Sequence, residues 1–256
     1  MSDKPLAIDL YAGLGGWTEG LLAEGYRVVG FDNERHVYGD ERYPAQLVIQ
    51  DVLTIHGRQF KDAALIVASP PCQAYSYRAM PWKRAKALPP PDNALFEACF
   101  RIQREACEAA GRHIPMVVEN VRGAQPYVGR SRYHFGSFHL WGDVPALLPI
   151  TKRHAIKNDG GSWFAKAHNT TSGKGQNPVG RRTTRNDPRD GVKHHGSGAV
   201  WFDTGPASRS SRSNTRKQAS AMIAKIPLVL SRHIARAWLP ALEGVARAEK
   251  EPGGID

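Results

Sequence analysis

Residues 6–25 constrain the fold more than any other stretch. Leu6-Ala7-Ile8-Asp9-Leu10 is a short apolar run. Tyr11-Ala12-Gly13-Leu14-Gly15-Gly16 comes next, and Trp17, Leu21 and Leu22 then recur at helical spacing until Gly25. Strand, glycine turn and helix in that order open a nucleotide-binding βαβ unit, where glycines let the backbone approach a ligand. A lone glycine turn is equally a tight connection, so the weight rests on the strands after it. Arg27 to Phe31 is a second strand pattern running into Asp32-Asn33, and Leu47-Val48-Ile49 a third running into Gln50-Asp51. Asp9, Asp32 and Asp51 are thereby expected along one edge of a parallel sheet, each meeting a ligand or capping a turn.

Leu65-Ile66-Val67-Ala68 is a fourth, fully apolar run, and it stops at Ser69-Pro70-Pro71-Cys72-Gln73. Two prolines remove two backbone donors and end the strand. Cys72 is thus presented beyond a carboxyl end, where open α/β sheets bind ligands, and a thiolate is a strong nucleophile. Residues 78–91 read as a proline-rich loop beside it, with Arg78, Lys83, Arg84 and Lys86 available to phosphates. Asp92 is placed to cap a helix from Asn93 to about Ala110, with Leu95, Phe96, Cys99, Phe100 and Ile102 inward and Gly111 as its stop. Met116-Val117-Val118 then ends in Glu119-Asn120, where the glutamate is either an acid of the site or a partly exposed turn residue. From Val128 to Trp141 a hairpin-like β segment carries Arg130 and Arg132, two apart and so expected on one face.

Charge is unevenly placed. The 256 residues carry a net +11, and residues 151–217 hold 14 Lys and Arg against four Asp. Trp163-Phe164 and Trp201-Phe202 interrupt that basic stretch, the mixture that nucleic-acid surfaces use for phosphate contact and base stacking. Arg181, Arg182 and Arg185 are its densest cluster. Three cysteines without Cys-x-x-Cys spacing argue against a disulfide frame or zinc site. His168, His194 and His195 lack metal-ligand spacing, so no metal is expected. No apolar run reaches membrane-spanning length and the first residues are no secretory signal, which points to the cytoplasm. The expected organisation is an α/β catalytic domain over 1–150, a short basic reader over 151–218, a helix within 219–248 packing back on the first domain, and a frayed tail over 249–256.

Three carboxylates at the sheet edge would repel a diphosphate and suit S-adenosylmethionine, with its sulfonium and ammonium, better than a nicotinamide dinucleotide. With these residues in order, the chain resembles the DNA cytosine-5 methyltransferases, over roughly 6–140 and again near 220–240. The resemblance implies a doubly wound Rossmann-like methyltransferase sheet with a small basic target-recognition insertion. It implies S-adenosylmethionine held by Tyr11, Ala12, Gly13, Gly15 and Gly16, with Asp32 and Asn33 at the ribose, Asp51 at the adenine amine, and Pro71 and Leu95 nearby. Cys72 would be the nucleophile, Glu119 of Glu119-Asn120-Val121 the contact to the target base, and Arg132 or Arg130 the contact to its carbonyl. Gln73, Arg78, Lys83, Arg84, Lys86, Arg181, Arg182 and Arg185 would meet duplex DNA, bound by a monomer. The family's late Gly-Asn-Ser-Val element is Ala224-Lys225-Ile226-Pro227 here. Small solitary enzymes of this shape resemble those of phages and prophages. A tRNA cytosine-5 enzyme of the same fold and a catalytically impaired DNA binder are the alternatives. An amino-methyltransferase would want an aromatic where Cys72 stands.

Overall fold

The computed structural model of the chain describes residues 4–75, 89–146, 217–218, 221 and 224–240. Strands β1 (Leu6–Leu10), β2 (Arg27–Asp32), β5 (Gln46–Ile49), β6 (Ala63–Ala68) and β7 (Met116–Asn120) run parallel. The hairpin of β8 (Tyr133–Phe135) and β9 (Phe138–Gly142) adds to β7 antiparallel. A separate ribbon pairs β3 (Val37–Tyr38) with β4 (Glu41–Arg42). The sheet order is β5-β2-β1-β6-β7-β9-β8. The chain leaves β1 toward β2 and later returns on its other side at β6. Side-by-side strands whose connections depart in opposite directions leave a crevice beyond their carboxyl ends, and ligands bind there.

Period-two alternation sorts the core. Ile8, Leu10, Ile66, Ala68, Met116 and Val118 meet Phe96, Cys99 and Ile102 of helix α2 (Ala94–Ala110) on one face. Ala7, Leu65, Val67 and Val117 meet Trp17 and Leu21 of α1 (Gly16–Ala23) on the other. Burial on both faces is why β6 and β7 read as continuous apolar runs. Cys99 is a packing residue of α2, and burial pushes its thiol up to about 12. Gly111 ends α2 in the left-handed conformation at φ 64°. A single turn, α3 (Gln125–Val128), precedes the β8–β9 hairpin.

Helix α4 (Leu228–Ala237) returns to the sheet and lies against α1. Helical residues also occur at 217–218, 221 and 224, and Lys225–Pro227 interrupts them, because Pro227 has no N–H to continue a helix. Glu24 at the end of α1 accepts from Arg232 Nε at 2.5 Å and Arg236 Nε at 2.6 Å, and Tyr26 donates to the Ala235 carbonyl at 3.0 Å. Among the described residues, no helix is long and apolar enough to cross a membrane.

Candidate active site

The β1–α1 turn is built around positive φ angles. Tyr11 adopts φ 59°, Gly13 φ 51° and Gly15 φ 77°. A tyrosine tolerates this only when its surroundings over-determine it. Its hydroxyl donates to the Leu95 carbonyl at 2.6 Å, and burial raises its pKa far above the ordinary phenol value, so it stays a neutral donor. The Gly13 N–H donates to Asp32 Oδ2 at 2.8 Å. A Cβ on Gly13 would meet only the Tyr11 carbonyl, at 4.0 Å, so that backbone faces open space. Gly15 and Gly16 differ: a Cβ on Gly15 would lie 2.5 Å from Pro44 Cδ, and one on Gly16 would strike the Ile226 backbone. Those two glycines permit close packing.

The Pro-Pro-Cys turn is tied on both sides. Ser69 N–H donates to the Leu10 carbonyl at 3.2 Å, and Trp17 Nε1 of α1 donates to Ser69 Oγ at 2.9 Å. Asn120 Nδ2 donates to the Pro70 carbonyl at 3.0 Å, while Asn120 Oδ1 accepts from Val121 N–H at 2.8 Å. Cys72 is half-buried, its carbonyl accepting from Tyr75 N–H at 3.1 Å. Glu119 lies inside β7, not past its end, and is only 4% exposed. One cleft of about 430 Å³ opens over all of this, lined by Tyr11, Ala12, Gly13, Gly16, Pro71, Cys72, Gln73 and Glu119 among the expected residues.

The other expected residues do not line it. Asp32 sits behind the wall, its carboxylate accepting from Gly13, Asn33 and Glu34 N–H groups. Burial pushes its pKa up, but the His36 contact and the Gly13 bond outweigh that and hold it below the ordinary range. Asn33 is exposed, and Leu95 contributes its carbonyl to Tyr11. Asp51 caps a 3-10 turn, accepting from Leu53 N–H at 2.9 Å, the structural role that such a residue also permits. Arg130 and Arg132 precede β8 instead of lying on it, so strand alternation does not align them; both are exposed or partly so. Asp9 departs furthest from expectation. It is 1% exposed and faces α1, with Thr18 Oγ1 donating to Oδ2 at 2.6 Å and no hydrogen-bond partner for Oδ1. Burial pushes its pKa up to about 8. Buried against α1, it is not presented at the sheet edge, and the expected row of three carboxylates does not exist. Arg78, Lys83, Arg84, Lys86, Arg181, Arg182, Arg185 and both aromatic pairs lie outside the described residues.

Several cleft residues carry no motif. Glu34, His36 and Tyr38 form one wall, leading into the β3–β4 ribbon. The contact of His36 Nε2 with Asp32 Oδ1, at 3.7 Å, raises the imidazole pKa, and its Nδ1 is 3.6 Å from Glu34. Lys217, Ala221 and Ala224, spaced as one helix face, form another wall with Lys225 and Ile226. Lys225 Nζ reaches Glu19 Oε1 of α1 at 2.6 Å and Glu41 Oε2 of β4 at 3.7 Å. The acid two residues beyond Asp32 was the one available signal; the rest are contacts between distant segments. Among the described residues, no group of three or more His, Cys, Asp or Glu is placed to hold a metal ion.

Residues 6–125 match the family model of the C-5 cytosine-specific DNA methylases. No curated protein matches the chain. Among solved structures, one described as a DNA modification methyltransferase encoded within an E. coli prophage shares 23% identity at a TM-score of 0.35, over 49% of this chain and 35% of its own. The S. pombe Dnmt2 methyltransferase shares 17% at 0.32, over 49% and 37%. The Entamoeba histolytica methyltransferase EhMeth shares 9% at 0.44, over 92% and 98%. The chain thus spans little more than a third of the first two.

Proposed function

Given that residues 6–125 form a C-5 cytosine-specific DNA methylase domain, we propose that this chain transfers a methyl group from S-adenosylmethionine to C5 of a flipped-out cytosine in duplex DNA. The observation that carries the proposal is the shared cleft: Cys72 and Glu119, from the ends of adjacent strands, line it together with the Tyr11–Gly13 backbone.

The residues present fit the cofactor. The open Gly13 cradle admits a ligand against the turn. Glu34, on the cleft wall, offers a carboxylate to ribose hydroxyls, while Asp32 fixes the turn from behind. Gly16 and Pro71 line the same cleft, and the Leu95 carbonyl holds the Tyr11 hydroxyl of the turn. Bound there, S-adenosylmethionine supplies a methyl group activated by its sulfonium.

Cytosine C5 is a weak nucleophile. The Cys72 thiolate adds to C6, and the C5–C6 π pair becomes available to take a methyl group at C5. Glu119 holds N3 and the exocyclic amine, offsetting the charge that develops on the ring. Loss of the C5 proton to a base then expels Cys72 and restores the double bond. Strand register supports Arg132 as the contact to the base carbonyl. Glu119 pairs with Leu140, Leu140 pairs with Tyr133, and Arg132 N–H donates to the Leu140 carbonyl at 2.8 Å. Arg132 thus lies two strand spacings, about 10 Å, from Glu119. Such a base is unreachable inside a duplex and must be extruded. The basic stretch 151–218 and Arg78 to Lys86 supply phosphate contacts for that state.

The test is expression of the wild type and Cys72→Ser in a bacterial strain lacking cytosine methylation, with DNA and RNA digested separately to nucleosides for mass spectrometry. The expected result is 5-methylcytosine in DNA from the wild type alone. Its appearance only in RNA moves the substrate to RNA, and its absence from both refutes the enzyme. Cys72→Ala should abolish turnover while leaving DNA and cofactor binding intact.

A further inference from the structure

The edge strand β8 carries rings that the cleft does not use. Tyr133 stacks on His134 with centroids 6.0 Å apart and planes 27° apart. His134 stacks on His139 across the hairpin at 5.1 Å and 24°. His139 continues to Trp141 at 6.3 Å, and Trp141 meets Phe96 of α2 edge-on at 5.4 Å. The inner end is fixed. Trp141 is buried and donates from Nε1 to the Gly129 carbonyl at 3.0 Å, and the His139 ring contacts Ser131 Oγ at 2.9 Å. The outer end is open: Tyr133 is 42% exposed and His134 is exposed.

Three further features say what this surface suits. Arg130 and Arg132, both on the solvent side, lie just before Tyr133. Tyr133 shares a register row with Glu119, through Leu140, so the ring stands at the level of the catalytic edge. Residues 151–217, which hold nearly all of the net +11, follow the hairpin in sequence. A rigid aromatic face beside guanidinium groups holds single-stranded nucleic acid by base stacking and phosphate pairing. Charge alone would protect an edge strand from pairing, as lysine commonly does, without the stacked rings beneath it.

We propose that Tyr133, backed by His134 and flanked by Arg130, is a stacking platform for an unpaired base of the DNA beside the extruded cytosine. The inference rests on the reading of the cleft as a DNA-modifying site. Fluorescence anisotropy with a labelled duplex containing one mismatched cytosine tests it, run over a salt series with cofactor calorimetry in parallel. Tyr133→Ala should weaken DNA binding by about 5- to 150-fold with an unchanged salt slope, the signature of lost stacking. Tyr133→Phe should bind as the wild type. Arg130→Ala should lower the salt slope by about one. Cofactor binding should hold in all three. Wild-type affinity in Tyr133→Ala overturns the platform and leaves the DNA reading intact. Loss of cofactor binding in Tyr133→Ala also overturns it, by making the ring structural. A wild type that binds no duplex removes the DNA reading and the platform together.

Discussion

At the scale of single residues, the carboxylates of this chain divide by what surrounds them. Asp32 is held ionised by backbone N–H groups and His36, whereas Asp9, at the opposite extreme, is buried against Thr18 with one oxygen unpartnered. Burial pushes the Asp9 pKa up to about 8 from 3.8. In the unfolded chain it ionises near the lower value. Between the two, the native state keeps a proton that the unfolded state has lost, so stability falls as pH rises through that window and levels off above it. The limiting slope for one proton is about 1.4 kcal/mol per pH unit. Asp9→Asn removes this titration. Thermal unfolding across pH 5 to 8 should therefore show a smaller decline for the variant than for the wild type, and parallel declines would mean that Asp9 is ionised in the fold. The glycine turn shows what could be read of such a site beforehand. Gly13, Cys72 and Glu119 were legible because turn chemistry, prolines and a strand end each leave a local mark. Glu34 left only its place two residues past Asp32, and His36 left nothing, because the cleft wall there depends on the two-residue strands β3 and β4, too short to show a period. Arg130 and Arg132 were assigned a strand that begins only at Tyr133.

Among elements, the α1–α4 contact ties the end of the described chain to its beginning. Gly20 makes it possible: a Cβ there would strike Ser231 Oγ and lie 2.5 Å from the Arg232 nitrogen. Ser231 Oγ can rotate away, but the Arg232 backbone cannot. Alanine at an exposed helical glycine gains about 1 kcal/mol of propensity. Overpacking a closed contact costs about 1–3 kcal/mol, and backbone has little room to yield. Gly20→Ala should therefore lower Tm, by about 2–4 °C for each kcal/mol of net loss at this chain length. An unchanged or higher Tm would show that the helices separate without cost. Because Ile226 and Lys225 line the cleft just before α4, the same variant should also weaken cofactor binding by calorimetry. The strands β1, β2, β6 and β7 were legible because burial on both faces writes continuous apolar runs. The Lys225–Glu19 pair, 206 residues apart, had no local signature, nor did the helix face of Lys217, Ala221 and Ala224.

For the whole molecule, charge and chemistry occupy largely different parts of the chain, with Lys217 belonging to both. Residues 151–217 carry 14 cations against four anions, which leaves the remainder of a +11 chain close to neutral. The match to the methylase family model ends at 125, before that stretch begins. Two independent behaviours are expected from this separation. Cofactor binding, governed by a cleft whose charged lining includes Glu34, Glu119, Lys217 and Lys225, should depend weakly on salt, because that lining mixes both signs in place of a single-sign field. DNA binding should depend on salt steeply, since each neutralised phosphate releases counterions and contributes about −0.9 to the logarithmic slope. Replacing Arg181, Arg182 and Arg185 together by alanine should then reduce the magnitude of that slope by about 0.9 for each arginine that meets a phosphate. Calorimetric affinity for S-adenosylmethionine should stay the same. If the slope does not move, the phosphates are met elsewhere, and Arg130 on the hairpin side becomes the cation to remove next. If the slope falls and cofactor affinity falls with it, the basic stretch also shapes the cleft, and the separation of binding from chemistry along this chain is wrong.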